Sequence, residues 1–294
     1  MDYRVDEVSL ADPEIERQVE GLISSAFGIP IPQGRVRRNT AAGGRPSPLY
    51  VAAVQDGEII GFNSFTAHRL QLNGAEMLAY QSGWTATSAA HRGKKIFQNL
   101  ILAAQEILAS RGASFVFGFP NSASHPIFIG KLGYRQLPSV KWQAPNLPLA
   151  MRLLTRDSTV DLGSLHRDTI LQDDRALIAL KRNEAFPAVE TFEHQGSLCW
   201  GVRRERRLAG TTIGYLDVGG IELAGSRHLP VVVGGLLRQV RGTHVQLVNI
   251  AGAPDNKLLR GVRPSQSNVL IVRDLTFETT ALRFNLYGGV RDVY

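Results

Sequence analysis

The chain holds a single cysteine, Cys199, in 294 residues. One thiol can form neither an internal disulfide nor a multi-cysteine metal site. A reducing, cytoplasmic compartment fits, and no metal is expected at the site. Long apolar runs are missing too, and nothing approaches the roughly 20 residues that a membrane span needs. The opening MDYRVDEVSLADPEIERQVE is acidic and polar, unlike a secretory signal. No G-x-x-x-x-G-K-[ST] run occurs, which excludes a P-loop. No basic stretch is interleaved with aromatics, so nucleic acid ranks low as a partner.

What is present is a globular composition, 44% hydrophobic and 20% charged, on a chain long enough for two ordinary domains. The 33 Lys+Arg against 26 Asp+Glu leave a net charge of +7. Such a surplus concentrates anionic ligands such as nucleotides and phosphates near the surface. It is clustered at Arg35, Arg37 and Arg38, at His91 to Lys95, and at Arg203, Arg204, Arg206 and Arg207. Most clusters of this kind are solvated surface, and only the middle one has a second feature beside it.

Residues 12–27 start with an Asp cap and continue with apolar residues at helical spacing. The Gly/Pro/Arg-rich stretch 28–48 reads as loop. Residues 49–87 contain two tight-turn dipeptides, Asp56-Gly57 and Asn73-Gly74, and predict a three-stranded meander. Residues 96–110 carry two apolar rows of a helix that ends at Gly112. ASFVFGF suits a buried strand, SASHPIFIGKL a short helix, and Tyr134 starts a further strand. The second half repeats this order. Leu49–Gly61 and Leu198–Gly210 match in length and ending, as do Arg111-Gly112 with Arg241-Gly242 and Gly133 with Gly261. Where the first half has HRGKKIF before its long helix, the second has SRHLPVVVGG.

A strand, a basic glycine-containing loop and a helix start together make an anion site. The first N–H groups of a helix point outward without partners, and the helix dipole adds positive potential there. Arg92, Lys94 and Lys95 add charge-assisted contacts suited to a diphosphate.

At this point residues 50–137 resemble the GNAT superfamily of acyl-CoA-dependent N-acyltransferases. A meander leads to TATSAAHRGKKIF, then a long helix, the strand FVFGF and a short helix closing with KLGY. In the family's Q/R-x-x-G-x-G/A loop, Arg92 fits, while Lys95 and Phe97 stand in place of both glycines, with Gly93 beside them. FGFPNSASHPIF, residues 117–128, is similar to a segment of large two-domain members of bacterial surface-sugar biosynthesis.

The resemblance implies an α/β (α+β) fold: a mixed, mostly antiparallel twisted sheet flanked by helices, with a second, degenerate GNAT-like domain. It implies a first domain at 1–145, a linker at 146–164 and a second domain at 165–294. It implies acyl-CoA as co-substrate, held by Trp84, Thr85, Ala86, Thr87, Arg92, Gly93, Lys94, Lys95, Ile96, Phe97, Asn121 and Phe128. The backbone of Trp84 to Thr87 would pair with the pantetheine arm, and one N–H would hold the developing oxyanion. Gly83 could open the strand pair with a bulge.

The implied acceptor is a small-molecule amine, by family analogy one on a nucleotide-linked amino sugar, met by Arg35, Arg37, Arg38 and Tyr80. Members often use a tyrosine in the short helix as acid, and Ile129 stands there; Gln81 stands where others place a glutamate. His125 is the nearest titratable group, Asn121 a hydrogen-bonding candidate, and positioning alone can carry much of such a transfer. The alternative reading is a non-catalytic acyl-CoA- or nucleotide-binding module.

Overall fold

Asp12 caps the first helix, its carboxylate accepting the N–H groups of Glu14 and Ile15 at 2.9 and 3.4 Å. The computed structural model describes residues 2–41, 46–137, 140–146, 168–182, 189–240, 245–252, 265–266 and 269–285. The chain divides into two compact units: Met1–Arg69 with Met77–Leu137 and Val269–Thr280, and the remainder.

The first unit opens with β1 (Arg4–Glu7) and α1 (Pro13–Phe27). The stretch 28–48, expected as loop, contains a helix, α2 (Arg35–Thr40). Its reason is tertiary. Arg37 donates through Nε to Glu16 of α1 at 2.9 Å, and Val36 is buried against Val19 and Ile23 of the same helix, so packing on α1 stands in for a local cap. The meander follows as β2 (Leu49–Gln55), β3 (Glu58–Leu72) and β4 (Ala75–Thr87). Both expected turns are present, with Asp56 and Asn73 at φ 51°.

Next come α3 (Ile96–Ser110), β5 (Phe115–Gly118), α4 (His125–Lys131) and β6 (Arg135–Leu137). Leu100, Ile101, Ala104 and Leu108 of α3 are fully buried in one cluster with Leu49, Val51, Ala53 and Phe65 of the sheet. Gly61 lets the helix come close, since a Cβ there would meet Ile96 Cγ2 at 2.4 Å.

Sheet one runs β1-β2-β3-β4-β5 and then a strand from far along the chain, β14 (Leu270–Asp274), before β6. β4 and β5 are parallel, while β1–β2, β2–β3, β5–β14 and β14–β6 are antiparallel.

The second unit contains β7 (Val140–Pro145), β8 (Thr169–Gln172), α5 (Asp174–Lys181), β9 (Val189–His194), β10 (Ser197–Leu208) and β11 (Thr211–Glu222). It continues with α6 (Leu229–Val240), β12 (Val245–Gly252), β13 (Ser265–Gln266) and β15 (Arg283–Asn285). Its main sheet is ordered β13-β7-β12-β11-β10-β9, with β11 and β12 parallel. This repeats the first unit: an antiparallel meander, a helix, then a strand parallel to the one that fed the helix. The fold is thus mixed α+β with mostly antiparallel sheets and a second unit of like order.

Two sequence expectations need correction. Counting back from the strand that feeds the helix, β10 matches β3, so pairing Leu49–Gly61 with Leu198–Gly210 is one strand out. Alternating strands joined by tight turns look alike in sequence, so a match in length and ending does not say which hairpin corresponds to which. The boundaries at 145 and 165 also move: β7 pairs with β12 in the second sheet, and β14 lies between β5 and β6 in the first. The linker beyond Asn146, Arg241-Gly242 and Gly261 lie outside the described residues.

Candidate active site

The ladder between β4 and β5 runs only from Ala79↔Phe115 to Ser82↔Gly118. β4 continues through Gly83 to Thr87, whereas the other chain leaves at Phe119-Pro120, where proline has no N–H to extend a ladder. The two strands therefore part at this point. Trp84 sits at the fork with φ 38°, a left-handed conformation inside a strand. The bulge expected at Gly83 is thus carried by the next residue. The Trp84 side chain is buried with Leu10, Val19, Ile23, Val36 and Phe62, in the cluster formed with α1 and α2.

At the far end of β4 the loop begins where Ser88 N–H donates to Ile60 O at 2.9 Å. A single 3₁₀ turn, Ala89–His91, leads to Arg92, Gly93 (φ 81°), Lys94 and Lys95 (φ 59°). Lys95 holds the position that the family pattern gives to glycine, and it adopts a glycine-type backbone there. It is the N-cap of α3 and offers no side-chain cap, and the first turn has no acidic residue. The first intrahelical bond is Asn99 N–H to Lys95 O, which leaves the N–H groups of Ile96, Phe97 and Gln98 without helical partners. Arg92, Gly93, Lys94 and Lys95 are exposed, and among the described residues no carboxylate pairs with these cations. Ile96 is buried, and the Phe97 ring stands edge-on to Phe128 at 5.2 Å. The side chains of these three are packing, and a ligand at this helix start would meet the N–H groups of Ile96 and Phe97. An anion of diphosphate size fits this combination of bare N–H groups and three cations.

Residues 7–137 match the family model of the acetyltransferase (GNAT) domain. Residues 7–137 are a GNAT acetyltransferase domain. No curated protein matches the chain by sequence. Among solved structures, a conserved protein of Enterococcus faecalis is 12% identical with a TM-score of 0.63, over 95% of this chain and 74% of its own. A GCN5-related N-acetyltransferase from Anabaena variabilis is 10% identical with a TM-score of 0.62, over 92% and 73%. Eis1 from Mycobacterium abscessus is 15% identical with a TM-score of 0.57, over 93% and 74%. At these identities the likeness is one of fold. The matched domain is that of an N-acyltransferase in the general sense: acyl transfer from acyl-CoA to an amine.

Within the GNAT domain the remaining candidates separate. Asn121 opens the turn after β5; its Oδ1 accepts Ala123 N–H, Ser124 N–H and the Ser124 hydroxyl at 3.1, 2.9 and 3.1 Å. Its oxygen is thus a turn cap, and its amide Nδ2 is the donor that the turn does not use. His125 follows, with Nε2 2.9 Å from Gln136 Oε1. With the amide oxygen accepting, Nε2 carries the proton and Nδ1 keeps a lone pair. Ile129 is half-buried against the core, so α4 offers no acid there. Gln81 is buried at 3% exposure.

Two acceptor candidates are corrected. Tyr80 lies in the core on the α3 face, with its hydroxyl donating to Ser47 O at 3.3 Å; burial pushes its pKa up. Its β4 position points it under the helix, away from a substrate surface. Arg37 donates through Nε to Glu16 at 2.9 Å, a carboxylate only 6% exposed. Its charge answers a buried acid. Arg35 and Arg38 lie on α2 beside it.

Sequence reasoning missed Asn63, fully buried in β3, which accepts the Thr85 hydroxyl at 2.6 Å and donates through Nδ2 to Ser82 Oγ at 3.2 Å. The signal was available as a polar pair inside the apolar run IIGFNSF. Among the described residues no cluster suits a metal ion, and no helix is long and apolar enough to cross a membrane.

Proposed function

We propose that the first unit takes acyl-CoA along the outer part of β4 and transfers its acyl group to a primary amine by direct attack on the thioester. The observation that carries this reading is the parting of β4 from β5 at a left-handed Trp84, with a bare cationic helix start at the end of the same strand. Acyl-CoA supplies an activated carbonyl and a thiolate leaving group. Arg92, Lys94, Lys95 and the first N–H groups of α3 hold its diphosphate. The backbone of Gly83 to Thr87 lines up the pantetheine arm as an added strand, and one of its N–H groups faces the carbonyl oxygen. The Nδ1 lone pair of His125 is the group on α4 that can accept the amine proton, and Asn121 Nδ2 a donor beside it.

The finer reading, an amino group on a nucleotide-linked sugar in the cytoplasm, rests on the resemblance of residues 117–128 and on Arg35 and Arg38; Arg37 no longer supports it.

Thermal shift tests the donor site first. Acetyl-CoA should stabilise the protein, and the shift should vanish in the Lys94→Ala/Lys95→Ala variant. Thiol release with a panel of amines, including nucleotide-linked amino sugars, then tests transfer. A shift with no release from any amine would favour a non-catalytic acyl-CoA-binding module. No shift even at low salt would remove the donor site itself.

A further inference from the structure

A left-handed residue other than glycine is strained, and such a residue persists only where its surroundings over-determine it. Trp84 is held there from two directions. Its indole is buried in the apolar cluster with α1 and α2. On the other side, one fully buried side chain ties both flanks of the irregularity: Asn63 accepts from Thr85, just after Trp84, and donates to Ser82, just before Gly83. Thr85 Oγ1 also lies 3.3 Å from Gly83 O, but its single proton is better used in the 2.6 Å bond. Ser82 is the last residue of β4 paired to β5, so the clamp closes at the fork itself. A buried amide in the middle of a strand is a poor choice for packing, because its polar atoms must be satisfied where a valine would need nothing. Here both of its bonds converge on the bulge.

We infer that Asn63 is a positioning residue for acyl transfer. By joining Ser82 to Thr85 it keeps β4 bulged at Trp84, so that a backbone N–H of the bulge points into the gap at the thioester carbonyl. This rests on the donor placement given under Proposed function.

The test is isotope-edited infrared difference spectroscopy of carbonyl-labelled acetyl-CoA bound to the full chain, with CoA as the reference ligand. In the wild type the bound carbonyl band shifts to lower frequency. In Asn63→Ala most of that shift is lost. The preference for acetyl-CoA over CoA falls roughly fivefold, about one hydrogen bond's worth, while CoA affinity itself changes little. Thr85→Val behaves like Asn63→Ala, and Thr85→Ser, which keeps the hydroxyl, behaves like the wild type. A general loss of packing would move CoA and acetyl-CoA affinity together and would not be rescued by serine. If Asn63→Ala does not fold, the Thr85 pair decides. Folded variants that keep the full shift overturn the clamp while leaving the donor site standing. A wild type that binds acetyl-CoA with no shift overturns the thioester placement and the clamp with it.

Discussion

Trp84 and Lys95, two residues at the two ends of the outer β4 segment and its loop, hold left-handed backbone angles of 38° and 59°. At Lys95 the strain can be relieved without touching the core, because the side chain is exposed. Lys95→Gly should raise stability by about 0.5–1 kcal/mol, read as a urea midpoint, because glycine adopts this angle freely. It should also weaken CoA binding severalfold at low salt, with the difference narrowing at high salt as the lost charge is screened.

Asp174 offers a second prediction at this scale. Burial pushes its carboxyl up from 3.8 to about 7, an effect only partly offset by the donors Trp200 and Gln172 and reinforced by Glu222 and Asp173. A pKa raised on folding means that the folded state favours the protonated form. The associated stability is full below about pH 4 and is lost as pH rises through about 7. The difference is on the order of 4 kcal/mol at pH 8. Asp174→Asn should flatten the melting profile between pH 4 and 8 and melt higher than the wild type at pH 8. Its amide oxygen can still accept from Trp200 Nε1, now at 2.7 Å.

At the scale of elements, α2 shows how a helix forms where local sequence argues for loop. Its six residues follow a glycine and carry no side-chain cap, and the carboxylate that ties it down, Glu16, stands on α1, 21 residues before Arg37. Removing Arg37 leaves the nearly buried Glu16 unpaired, so Arg37→Ala should lower stability by about 1–3 kcal/mol, as measured by denaturant unfolding. Adding Glu16→Gln should recover part of that loss. Had Arg37 served only an acceptor phosphate, stability would not change and acceptor KM would. α3 and the meander, by contrast, were readable beforehand, because 3.6-residue periodicity and Asp-Gly or Asn-Gly turns are written within a dozen residues. The cationic loop was readable for the same reason. Tyr80 was misjudged because strand alternation shows that neighbours face opposite sides but not which side a helix covers.

At the scale of the whole molecule, the first sheet is completed by a strand from far along the chain. β14 brings Leu270, Ile271 and Val272, all buried, between β5 and β6. A fragment ending at Pro145 would leave two open strand edges and a void where Ile271 packs. It should show no cooperative melt, and a peptide spanning 265–285 should restore one. In the full chain Ile271→Ala should cost about 2–5 kcal/mol by thermal or chemical unfolding. A fragment 1–145 that melts cooperatively by itself would contradict this account.

The amino-acid sequence by itself determined the periodic elements, the tight turns, the basic loop and the order of elements by which residues 50–137 resemble GNAT proteins. These are local: each depends on residues a few positions apart and on the pairing rules of helices and strands. Tertiary structure alone decided that the bulge falls on Trp84, that Asn63 grips both sides of it, that Arg37 answers Glu16, and that β7 and β14 close sheets far from their neighbours in sequence. In each of these the partner is brought in by the fold from beyond the local segment. The free energy comes from burial and from satisfying a buried polar group, and a one-dimensional pattern does not record which group that will be.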